Sequence, residues 1–147
     1  MKRLFLFVII LLCAHADSAK ADILKDILGS WKFSAEFFRN GKKIGYSTGT
    51  ARISRHGQRG LYIVQRESGH TSYTWLKDSG EYRVKNGSQV SLAKWKVVGD
   101  KLVIDAKKKP HKGKITAVMN HSKKFIYTSI ISNGKETHRT VGIYTRK

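Results

Sequence analysis

Few residues in this chain could do covalent chemistry, and their spacing does not bring them together. Glu67, Glu81 and Glu136 stand singly among lysines. No grouping of Ser, His and Asp, of Cys, or of paired carboxylates has the spacing that nucleophilic or acid–base catalysis uses. His56, His70, His111, His121 and His138 form neither a His-x-His pair nor a helical pair, so the sequence spells out no metal site and calls for no cofactor. The chemistry expected is therefore binding rather than catalysis, and the chain reads as a non-enzyme. Tyr73, Trp75 and Tyr127 are rings with polar tips, suited to the wall of a cavity that takes an amphipathic ligand. The same aromatic set, with Trp31, Phe33, Phe37, Trp95 and Phe125, would equally fill a narrow core.

Charge supplies a second kind of binding chemistry. The 147 residues carry 29 Lys and Arg against 10 Asp and Glu, a formal net charge of +19, which favours anionic partners. Lysines spread over the outer faces of strands would also simply keep the protein soluble. One segment is denser than the rest: Lys107, Lys108, Lys109 and Lys112 surround Pro110 and His111 in what reads as a single loop, a candidate anion-binding surface for lipid headgroups or acidic polysaccharide. Lysine without interleaved arginine or aromatics reads bases poorly, so sequence-specific nucleic-acid recognition is not expected from this loop.

The elements that must position these residues are short strands. From Leu28 onward, alternating segments at about 31–39, 43–54, 59–68, 71–77, 81–85, 89–98, 101–107, 113–121, 124–131 and 136–146 are separated by turn residues such as Asn40-Gly41, Asn86-Gly87, Gly99-Asp100 and Asn133-Gly134. The only proline, Pro110, falls between strands. Consecutive hairpins without a long crossover predict an all-β fold: an antiparallel up-and-down β-barrel of about 8–10 strands. Before it, 22–28 reads as a short helix capped by Asp22 that closes one barrel end.

Lys2 and Arg3, the apolar run 4–12, and the small residues Ala19 and Ala21 have the order of a secretory signal peptide. Cleavage is expected after Ala21, with Ala16 the competing site, leaving a single barrel domain over 22–147 in the periplasm or outside the cell. The single cysteine, Cys13, falls in the segment removed, so the barrel is expected to depend on its apolar core rather than on disulfides.

Gly29-Ser30-Trp31 after a short helix resembles the Gly-x-Trp signature of lipocalins and the wider calycin group. Ser47-Thr48-Gly49-Thr50-Ala51, Gly60-Leu61-Tyr62-Ile63, Trp95-Lys96-Val97 and the closing Tyr144-Thr145-Arg146-Lys147 look like bacterial secreted lipocalin-like domains of unknown function. The resemblance implies that Gly29 and Trp31 close the barrel floor and that a basic side chain of the last strand lies over the indole. Arg139 and Arg146 are the candidates. Arg139, sharing its face with Val141 and Ile143, is the one alternation prefers. The chain departs from true lipocalins in having no disulfide and no long loop after the first strand, and it lacks the helical lid of fatty-acid-binding proteins.

Two functional readings follow. In the first, the barrel holds a small amphipathic or anionic ligand. In the second, its basic outer surface docks on an acidic macromolecule or membrane and the core is solid. A cavity in the barrel separates the two. The sequence leaves the oligomeric state open.

Overall fold

The computed structural model describes residues 22–107 and 112–147. The expected signal segment 1–21, Lys108 and Lys109 lie outside the described residues. A single-turn helix, α1 (Ile23–Asp26), is capped by the Asp22 carboxylate, which accepts from the Leu24 amide at 3.2 Å. Ten strands follow: β1 (Gly29–Arg39), β2 (Lys42–His56), β3 (Gly60–Glu67), β4 (His70–Leu76), β5 (Glu81–Asn86), β6 (Gln89–Val98), β7 (Lys101–Ala106), β8 (Lys112–His121), β9 (Lys124–Ser132) and β10 (Thr137–Arg146). Each pairs antiparallel with the next, and β10 returns to pair with β1, closing the barrel. Closure gives every described strand a neighbour on both sides, although 42–48 of β2 and 89–93 of β6 run past the end of one neighbour.

Turn chemistry explains the meander. Between β1 and β2, Asn40 and Gly41 have φ of 48° and 81°, the two positive dihedrals of a hairpin whose twist matches its strands. The Asn40 side chain also accepts from the Thr137 amide at 2.8 Å and so ties this hairpin to the start of β10. At the other end of the barrel, Asp78 accepts from the backbone amides of Gln58, Arg59 and Gly60, linking the β4–β5 turn to the β2–β3 turn.

One end is sealed and the other is open. Ile23, Ile27, Trp31, Leu61 and Leu76 are the most deeply buried side chains, and α1 packs on β7 and β8 to form a floor. The Trp31 indole N–H donates to the Ile27 carbonyl at 2.8 Å, and its ring meets Phe125 edge-on at 4.8 Å.

The cation over Trp31 is Arg146, not Arg139. Its guanidinium carbon lies 4.2 Å from the indole centroid, whereas Arg139 lies 5.5 Å from Phe38 on the outer surface. The reason is parity. Arg146 is opposite Trp31 in the β1–β10 register, and Tyr144, buried, is opposite Phe33; Arg139, Val141 and Ile143 occupy the alternate, outward face. Arg146 also donates to the carbonyls of Asp26 and Leu28 at 2.6 and 2.7 Å, satisfying groups at the end of α1 that the helix itself leaves open, and to the Ser122 carbonyl in the β8–β9 turn at 3.1 Å. Gly29 makes room for it: its φ is 127°, and a Cβ there would stand 2.6 Å from the Arg146 guanidinium.

Trp31→Ala is expected to destabilise the barrel by roughly 3–5 kcal/mol, the range for truncating a buried large aromatic. Arg146→Ala should cost less, and the double variant should lose less than the sum in urea unfolding because the two groups share one contact. Additive losses would remove the pairing, and Arg139→Ala should leave the unfolding midpoint nearly unchanged.

Candidate functional site: the barrel cavity

Above the floor the barrel is hollow. A cavity of about 270 Å³ is lined by inward residues of nearly every strand, among them Phe33, Ala35 and Phe37 of β1, Ser72, Thr74 and Leu76 of β4, and Ile115 and Ala117 of β8. The aromatic column continues into it. Tyr144 stacks on Phe125 at 4.3 Å and on Phe33 at 5.3 Å, and Tyr127 meets Tyr144 edge-on at 6.4 Å.

Three phenols, those of Tyr82, Tyr127 and Tyr144, line this largely apolar space. Burial raises all three above the ordinary tyrosine range; Tyr127 is pushed up to about 12, with the Ser129 hydroxyl working weakly the other way. Tyr144 is raised further by the neighbouring Tyr127 and the Glu67 carboxylate. The phenols are therefore neutral donors at physiological pH. Tyr144 uses its donor on Gln65 Oε1 at 3.0 Å.

Toward the open end the wall becomes polar. Ser47 Oγ donates to Glu67 Oε2 at 2.5 Å, and both residues line the cavity. His70 sits directly opposite Glu67 across the β3–β4 turn, and its buried Nε2 has no hydrogen-bond partner among the described residues. No lysine, arginine or histidine lines the cavity among the described residues, so Glu67 carries its one ionisable carboxylate. This disfavours an anion inside the barrel and favours a neutral or cationic group.

The expected cavity residues divide. Tyr127 lines the cavity. Tyr73 and Trp75 are on the outer face, because β4 turns Ser72, Thr74 and Leu76 inward. Tyr82 and Tyr144, the other two phenols inside, are absent from the sequence reading of the cavity. The signal that finds them is register, since tight hairpins carry the inward face from Trp31 to Ala51, Gln65 and Ser72 by direct cross-strand pairing. Of the basic loop, Lys107 and Lys112 are exposed, and Lys112 is opposite Ser132 at the open end of β9.

No family model matches the chain, and no curated protein matches it in sequence. Solved structures do match in shape. An S-type phycobiliprotein lyase from Guillardia theta superposes with a TM-score of 0.62 at 8% identity, over 86% of this chain and 91% of that one. A DUF3598-family protein of unknown function from Nostoc punctiforme gives 0.59 at 11% identity, over 84% of this chain but only 49% of its own. Rv2717c from M. tuberculosis gives 0.57 at 13% identity, over 88% and 99%. The likeness is one of fold: this chain is a closed ten-stranded antiparallel barrel, and it shares that overall shape with these three structures. The expectation of a non-enzyme is corrected by the first of them. A barrel of this shape is named a lyase, so a scattered set of acids and histidines on such strands no longer argues against catalysis.

The raised phenols set a pH dependence. The unfolded chain ionises its tyrosines near pH 10 while the barrel keeps Tyr127 neutral to about pH 12. The stability contributed is complete below pH 10 and is lost as pH rises through that window. Phenolate absorbance of the folded protein is expected to lag that of the denatured chain between pH 10 and 12. The lag should shrink in Tyr127→Phe, and coincident curves would place that phenol in water.

Proposed function

We propose that the barrel binds a compact amphipathic ligand in its interior, apolar part toward Phe33 and Phe125, polar end toward Ser47 and Glu67. The observation that carries this reading is the hollow above a sealed floor: an apolar wall with a few convergent polar groups is the composition of a small-molecule site. The absence of a cation among the described lining residues narrows the ligand to neutral or cationic amphipaths. The structural likeness to a phycobiliprotein lyase supports an interior used for a small molecule, without transferring that protein's substrate to this chain. The leading basic and apolar run of the sequence supports export, so the ligand would be met in the periplasm or outside the cell.

Protein purified from its own host should carry a small molecule detectable by native mass spectrometry. After its removal, Glu67→Gln is expected to weaken binding of a long-chain alkylamine by about tenfold, the loss of one charge-assisted contact, while leaving the matching alcohol unaffected. A barrel that excludes amine, alcohol and an apolar fluorescent probe alike would overturn the reading.

A further inference from the structure

We propose that the outer face of β3 to β6 docks on an anionic lipid surface. Two adjacent cross-strand rows carry it. Val64, Tyr73, Lys85 and Val90 stand directly opposite one another in the first row, and Tyr62, Trp75, Arg83 and Leu92 in the second. Tyr73 is 37% exposed and Val90 and Leu92 are each 46% exposed, so the rows form an outward aromatic and aliphatic patch on the sheet. Trp75 is its centre, 5.4 Å from Tyr62, 6.3 Å from Tyr73 and 5.9 Å from the Arg83 guanidinium.

Charge complementarity names the occupant. Neither row contains an acid. Glu81, one row nearer the floor, is engaged by Lys77 at 2.7 Å. Val64 also lines a groove of about 280 Å³ with Ser30, Thr50, Arg52, Arg66 and Lys147, so cations and hydroxyls adjoin the patch where a headgroup phosphate would lie. Tyrosine and tryptophan sit at headgroup depth, arginine and lysine meet the anionic surface, and the exposed aliphatics enter the acyl boundary.

Two other occupants fit less well. A single-stranded nucleic acid would use the rings and cations but gain nothing from Val90 and Leu92, and the face of Trp75 is shared with Arg83 and two tyrosines. A second copy would bring Arg83 and Lys85 against like charge. The outer face of β8 to β10 also exposes Ile130 and Ile143, but it carries no tyrosine or tryptophan.

This docking rests on observations separate from the cavity, and its test needs no interior ligand. The full chain without residues 1–21 should sediment with phosphatidylcholine vesicles containing phosphatidylglycerol and not with phosphatidylcholine alone, and salt should release it. Lipids brominated near the headgroup should quench Trp75, since Trp31 and Trp95 are buried, and Trp75→Phe should abolish that quenching. Arg83→Gln with Lys85→Gln should weaken partitioning by about thirtyfold, the loss of two surface cations. Tyr73→Ser with Leu92→Ser should weaken it by about tenfold or more through lost apolar contact. Thermal unfolding checks each pair for folding, and either pair alone carries the test. Lys107→Gln with Lys112→Gln should change it less than either pair. Equal affinity for both vesicles, no affinity, no quenching, or a dominant effect of Lys107 and Lys112 would overturn the proposal. So would binding to a single-stranded oligonucleotide, lost in the same variants, without vesicle binding.

Discussion

Arg146 over Trp31 is the contact on which the barrel's closure depends. One guanidinium stacks on the indole, satisfies two carbonyls at the end of α1 and a third in the β8–β9 turn, and occupies the space left by Gly29. It joins the first strand, the last strand and the helix, so the same side chain that seals the floor reinforces the β1–β10 ladder that closes the barrel. A lysine would keep the charge but lose the planar stack and the separate N–H groups that reach different carbonyls. The buried indole also needs its own acceptor, which the Ile27 carbonyl supplies, so the single helical turn is part of the floor rather than an ornament on it.

A sealed floor permits a hollow above it. Stability is concentrated where Ile23, Ile27, Leu61 and Leu76 pack around Trp31, and the aromatic column through Phe125 to Tyr144 carries that rigidity upward. Toward the open end small polar side chains, Ser47, Ser72 and Thr140, line the wall beside Phe37 and leave volume unfilled. The cavity thus has an apolar and aromatic wall with small polar residues among it, and its shape is held by the packed floor below.

The fold was legible because turn chemistry and alternation agree from segment to segment, and closure followed from the lack of any crossover. Parity was where the residues misled. In β10 the apolar set Val141 and Ile143 suggested an inward face that included Arg139, yet Thr140, Gly142 and Tyr144 face in. In β4 the large rings of Tyr73 and Trp75 face out and Ser72 and Thr74 face in. Both errors have one cause. In β4 and at Thr140 and Gly142 of β10 the inward positions carry small or polar residues, while β-branched or aromatic residues on the outer face favour the strand conformation and pack on cross-strand neighbours. In these two strands hydrophobicity alone therefore selects the wrong face, whereas in β1, β7, β8 and β9 it selects the face that lines the cavity. Register counted outward from Trp31 does not fail in this way, because directly paired residues share a face.

The inside and outside of this barrel also differ in sign. Among the described residues the cavity is lined by neutral phenols and one carboxylate and by no lysine or arginine, while the chain as a whole carries a formal net charge of +19. An anion drawn by the outer field meets no compensating cation inside, so it is held at the surface; a neutral or cationic amphipath gains nothing from that field but can enter an interior that does not repel it. Surface and cavity therefore select different chemistries. The boundary between them is the sheet itself, where the alternation of one strand, Ser72, Thr74 and Leu76 against Tyr73 and Trp75, assigns each face its partner.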